Sequence, residues 1–139
     1  MNYLLFILIS YFNLSQTTEK FDLKITVTNV KSQKGIVEIG LFNDQKSFLI
    51  KGKEYKTSSK VVTDDSVVFI LTDLPKDDYA VSIYHDVNSD KECNMNFLGI
   101  PKEPYGFSQN FKPKFSKPTF DDCKIELKQN QSIVIKLLD

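Results

Sequence analysis

Arginine is absent from this 139-residue chain, and histidine occurs once, as His85. Eighteen basic residues, all lysine, balance eighteen acids, so the formal charge is zero and no block of like charge stands out. A phosphate-binding surface normally recruits arginine for bidentate contacts, so nucleic acid is excluded as a partner. A single imidazole cannot build a histidine-based metal site by itself. Only two cysteines occur, Cys93 and Cys123, and their separation is far from any CxxC-type ligand spacing. Repeats and low-complexity segments are also missing. Only one long apolar run exists, Tyr3 to Leu14.

That run, YLLFILISYFNL, is shorter than the ~20 apolar residues a bilayer span requires. Followed by the polar SQTTEK, it fits the apolar region of a secretory signal peptide, although only the α-amino group charges its start. Ser15 or Gln16 would be the last residue removed. The alternatives are an uncleaved anchor or a buried first strand. No cysteine follows closely enough for lipid attachment. The expectation is a signal peptide over 1–16 and one domain over 17–139, exported to the periplasm, cell surface or medium, without membrane contact after cleavage. A chain of this length closes one core.

Most of the mature region alternates with period two. Phe21, Leu23, Ile25 and Val27 interleave with Asp22, Lys24, Thr26 and Thr28, which predicts a half-buried strand. Across SQKG follows Ile36–Phe42, with Val37, Ile39 and Leu41 inward, read as a hairpin. The next residues form a turn that tucks Phe48 and Leu49 onto the sandwich edge, and Ile50 to Ser59 reads as exposed. A second hairpin joins Lys60–Thr63 to Ser66–Thr72 across Asp64-Asp65. Tyr79–His85 is a strand of β-formers. A last hairpin joins Lys124–Leu127 to Ser132–Leu137 across KQNQ. Seven short strands without a convincing helix predict an all-β fold: a seven-stranded antiparallel two-sheet sandwich of Greek-key type.

The strand ending at His85 runs directly into HDVNSDKECNMN. Asp86, Asn88 and Asp90 alternate, with Asn94 and Asn96 beyond. Oxygen side chains at alternate positions converge when the backbone curls, and Ca²⁺ takes six to eight such oxygens. The calcium-loop pattern then fails: Lys91 stands where glycine makes the sharp turn, and no acid falls at the terminal ligand position. An Asx-capped turn is the favoured reading, with a weak Ca²⁺ site as the alternative and no cofactor required. His85 and Asp86, adjacent on a strand, point to opposite faces, which disfavours an acid–base pair. Ser108 is not in a nucleophile-elbow turn.

Five aromatics follow between Phe97 and Phe115, among Gly99, Pro101, Pro104 and Gly106. They read as a cap over one end of the sandwich. The alternative is a surface built from His85, Tyr105 and Phe107 for a peptide or carbohydrate. A bridge between Cys93 and Cys123 would close a loop of about thirty residues and stabilise by ~3 kcal/mol; two separate thiols are the alternative.

LPKDDYAVSIYHDVNSD, NFLGIPKEPYGFSQN and KPTFDDCKIEL together resemble the bacterial domain of unknown function family 2141. In that family a strand ending in HD-x-N leads to a calcium-loop-like stretch, then GIP-x-EPYGFS and P-x-F-x-D-A. The resemblance covers essentially the mature chain. It implies an exported immunoglobulin-like or prealbumin-like sandwich with no assigned activity and no catalytic residues to carry over. This chain departs from the pattern at Lys91, where the family has glycine, and at Asn94, where it has aspartate. Cys93 and Cys123 replace apolar or small residues, and their joint appearance favours the bridge. The expected function is a non-enzymatic binding or structural module using residues 85–110. A small hydrolase centred on His85 and Asp86 is the competing class.

Overall fold

The computed structural model describes residues 17–97 and 101–139. The apolar N-terminal stretch and Gly99 lie outside the described residues. The elements are β1 (Lys20–Thr28), β2 (Ile36–Phe42), β3 (Lys56–Val61), β4 (Val67–Pro75), β5 (Asp77–Asp86), β6 (Tyr105–Phe107), a 3₁₀ turn (Ser108–Asn110), α1 (Phe120–Cys123), β7 (Ile125–Leu127) and β8 (Gln131–Lys136). One sheet has the order β4-β1-β8 and the other β3-β2-β5-β6, with β7 added beside β5. The two-sheet sandwich expected from the alternation is present, and α1 is a single turn.

The alternating rows meet between the sheets. Leu23, Ile25 and Val27 of β1, Val37, Ile39 and Leu41 of β2, Phe69 and Leu71 of β4, and Val81 and Ile83 of β5 form one buried cluster. Near the end of β4 the alternation resets: Asp73 takes φ 57°, the β1–β4 register shifts, and Leu74 returns to the core. The extra residue of a bulge does this without losing either apolar row.

Three pairings differ from expectation. The turns SQKG, Asp64-Asp65 and KQNQ do not close hairpins. Each carries the chain from one sheet to the other: β1 pairs with β4 and β8, β2 with β3 and β5, and β7 with β5. Alternation states which face is buried and says nothing about which edge is paired, and a few residues suffice to cross the ~10 Å between packed sheets. The β1–β8 ladder is parallel, so the three-stranded sheet is mixed rather than antiparallel throughout. Among the described residues there are eight strands rather than seven. β6 is only three residues long, and β3 begins at Lys56, ahead of the expected start at Lys60, within the stretch expected to be exposed, and it is exposed. β3 has no buried residue, so its backbone ladder to β2 left no apolar trace in the sequence.

β5 is covered on both faces. Its inward row joins the main core, while Ala80 on the other face joins Phe42, Phe48, Phe107, Phe120 and Cys123. Phe48 packs edge-on against Phe42 and Phe120, at centroid distances of 5.4 and 6.0 Å, so the expected tuck of Phe48 is present. Buried Ser108 binds this layer to the sheet: its Oγ accepts from Val81 N–H at 2.9 Å and donates to the Cys123 carbonyl.

The expected Cys93–Cys123 bridge is not formed; both thiols are free. Cys123 sits beside Ala80, whereas Cys93 lies in the loop beyond β5, close enough to Tyr84 and Glu103 for electrostatic coupling. Ala80 and Tyr84 are ~13 Å apart along an extended strand, and a disulfide needs Cα atoms within ~7 Å. Burial pushes the Cys123 thiol up to about 12. Thiol titration of the unreduced, denatured protein should therefore find two reactive groups; none would restore the bridge.

Candidate cation site

β5 ends by presenting neighbouring residues to opposite faces. His85 belongs to the inward row and is fully buried, with its backbone N–H donating to the Pro104 carbonyl at 2.8 Å. The Nε2 atom lies 2.6 Å from the Lys34 carbonyl, which requires Nε2 to carry the proton. Nδ1 is buried and has no hydrogen-bond partner. Asp86 is also fully buried, on the other side. The strand end is packed tightly: a Cβ added at Gly35, which has φ 77°, would lie 2.0 Å from the Asp86 carbonyl oxygen.

The chain curls around the Asp86 carboxylate after β5. Its two oxygens accept from Asp90 N–H at 3.1 Å and Lys91 N–H at 2.8 Å. Ser89 and Lys91 both take left-handed φ, 58° and 65°. Lys91 thus makes the turn that glycine would make more easily, at a conformational cost of roughly 1–2 kcal/mol. Asn88 and Asn94 donate to Asp90 Oδ2 at 2.9 and 2.8 Å, and Glu92 N–H donates to Asp90 Oδ1 at 2.9 Å. The Asn94 amide foremost, then the Glu92 N–H and Asn88, hold the Asp90 carboxyl below its ordinary 3.8. Asn96 lies half-buried further along. The Asx-turn expectation describes these bonds well.

A third carboxylate then arrives from outside the loop. The return segment is fixed by Lys102 N–H donating to the Asn94 carbonyl at 2.7 Å, by the Met95–Pro101 bridge and by the pairing of Tyr105 with Tyr84. It delivers Glu103, which is 9% exposed and whose Oε1 accepts from Val87 N–H at 3.0 Å. Carboxylate oxygens of Asp86, Asp90 and Glu103 lie within 4.8 Å of one another, a grouping able to hold a metal ion. Glu103 Oε2 is buried and has no hydrogen-bond partner.

Glu103 was not among the expected site residues, because the terminal ligand was sought within one continuous loop. The available signal was an acid in EPYGF, just ahead of a short run of β-formers. Of the expected ligand surface, His85 and Phe107 are buried and Tyr105 is half-buried with its ring 5.9 Å from that of Phe107. Tyr105 and Phe107 join Phe111 in the aromatic layer over β5, as the cap reading expected, whereas Phe97 and Phe115 are exposed and take no part in it. Burial, then the Glu103 charge, raise the pKa of the Cys93 thiol.

Residues 25–135 match the model of a family described as an uncharacterized protein conserved in bacteria (DUF2141), and the chain belongs to that family. No curated protein and no solved structure matches the chain.

Three carboxylates this close repel, and a buried carboxylate oxygen without a partner costs about 1–3 kcal/mol. Glu103→Gln keeps the acceptor for Val87 N–H and turns an amide N–H₂ toward the other two acids. In chelator, this variant should melt above the parent by a few degrees; a lower melting temperature would show that the Glu103 charge is already compensated. The Asp90 contribution should persist at every pH above 3.8 and fade as acidification passes through its lowered value. A melting series between pH 6 and 2 tests that window.

Proposed function

We propose that this chain is an exported, non-enzymatic envelope module whose loop end, within residues 85–110, binds Ca²⁺. The observation that carries this reading is Glu103: a nine-tenths buried carboxylate with one unpartnered oxygen, close to those of Asp86 and Asp90. The donor set is all oxygen, which suits Ca²⁺, and the Asn88 side chain adds a further acceptor on the same turn. Irregular loops tolerate the six to eight ligands at 2.3–2.6 Å that Ca²⁺ takes better than the strict octahedron Mg²⁺ demands. In this reading the ion ties the end of β5 to the segment entering β6. Export rests on the apolar segment followed by SQTTEK.

Geometry speaks against hydrolysis at the strand end. The His85 ring is buried in the inward row with Nε2 on the Lys34 carbonyl, while Asp86 lies on the opposite face and accepts two backbone N–H groups. An acid–base pair would need the two within hydrogen-bond reach.

With Glu103 in the terminal-ligand role, Kd for Ca²⁺ should be on the order of 10⁻⁴ M. At 10 mM Ca²⁺, about 100 times Kd, mass action stabilises the fold by ~2.7 kcal/mol. That corresponds to a rise in Tm on the order of 10 °C for a domain of this size. Asp86→Asn and Glu103→Gln should each remove most of the rise, and Mg²⁺ at the same concentration should produce less. No shift with 10 mM Ca²⁺, or a full shift retained in Glu103→Gln, would overturn the reading.

A further inference from the structure

Phe111–Phe120 reads FKPKFSKPTF and leaves the sandwich as a projecting loop between the 3₁₀ turn and α1. Phe115 at its tip is fully exposed, at 102% relative accessibility, and Lys112, Lys114 and Lys117 around it are exposed as well. Among the described residues, none of these lysines makes an ion pair or a hydrogen bond. No acid stands between Glu103 and Asp121. Lys112 also lines, with Lys136, Asn29, Asn110 and Asp139, an open cleft of about 430 Å³, in which the Asp139 carboxylate is paired with Lys31.

The loop is held at both ends. Phe111 packs against the cluster around Phe107 and Phe120, and Pro118 is buried. Beyond it, Thr119 and Asp122 form a reciprocal capping box at the start of α1. Pro113 and Pro118 remove backbone donors and fix φ, so the loop cannot hide Phe115 by extending a strand or a helix. A single exposed aromatic is ordinary on a soluble protein. An aromatic tip among unpaired lysines on a clamped loop is a more specific arrangement. Aromatic rings settle at the level of lipid headgroups, lysine stems lie along apolar surface while their charges stay in water, and anionic leaflets attract basic segments.

We propose that the 111–117 loop docks this protein peripherally on anionic phospholipid bilayers. Phe115 enters the headgroup layer, and Lys112, Lys114 and Lys117 rest on the phosphates. This departs from the expectation of no membrane contact. The lysines, spaced by proline, phenylalanine and serine, form no contiguous block that a linear reading would register. Among the described residues no helix is long and apolar enough to cross a membrane, so the contact is a surface one.

The test is sedimentation of the full chain with vesicles of phosphatidylglycerol and phosphatidylcholine, or of phosphatidylcholine alone, in EDTA so that the cation site plays no part. Binding to the anionic vesicles should weaken steeply between 50 and 500 mM salt, with little binding to the neutral ones. Replacing all three lysines (K112E, K114E, K117E) should lower partitioning on the order of a hundredfold, given the gain per lysine near an anionic surface. Phe115→Ser should lower it about tenfold through lost apolar burial. All these positions are exposed, so each variant should keep the parent melting temperature, and a matched melting temperature separates docking from misfolding. Equal binding to neutral vesicles, or binding unchanged in the triple variant, would place attachment in the apolar N-terminal stretch and overturn the proposal. Retention on single-stranded DNA without vesicle binding would make the loop a site for soluble polyanions and overturn it equally.

Discussion

Burial of β5 on both faces is the constraint on which the rest of the molecule depends. Tyr79, Val81 and Ile83 face the other sheet, while Ala80 faces the aromatic layer of Phe42, Phe48, Phe107 and Phe120. Both edges are occupied too, by β2 on one side and by β7 and β6 end to end on the other. A strand enclosed in this way leaves no backbone group exposed along its paired length and cannot slip by one residue without turning both apolar sets the wrong way. Tyr79 adds a tie of its own, donating its hydroxyl to the Pro75 carbonyl at 2.8 Å. Burial, with lesser Coulombic contributions from Tyr55 and Asp77, pushes that phenol up to about 12.

The rigidity of β5 is what gives the acidic loop a defined geometry. A carboxylate at the end of a fixed strand is a fixed charge, and Asp86 holds the turn by accepting from Asp90 and Lys91. The neighbouring face is equally ordered. Tyr84 donates to Glu38 at 3.0 Å, and burial, then that hydrogen bond, hold its phenol well above the usual range. Loops placed on such scaffolds are where binding chemistry concentrates, because the scaffold absorbs the entropy of ordering. Here the scaffold brings together three like charges that would separate in a free chain.

The two surfaces argued above use different physics and different parts of the chain. The candidate cation site is acidic, and it is assembled by tertiary pairing. The 111–117 loop is convex and basic, with Phe115 exposed because prolines and anchored ends prevent its burial. A protein of zero formal net charge can carry both because the signs are separated in space.

Alternation alone determined which face of β1, of β2 and of β4 as far as Leu71 is buried, since a period of two states the face regardless of partner, whereas burial of β5 on both faces left no such period. The two-sheet class follows from having several such one-sided strands and no helical period, and the Asx turn was legible because its bonds run between near neighbours. Strand partners were not legible: an apolar row carries no label for its edge, so three apparent hairpins became sheet-to-sheet crossings. The start of β3 was misplaced because none of its residues is buried, and β6 escaped notice because three residues are too few for a period. Only the tertiary structure brought Glu103 to Asp86 and Asp90, by pairing the return segment against β5, and only it separated Cys93 from Cys123. Contacts across a long loop depend on the path of the backbone between their ends, and no local pattern of residues encodes that path.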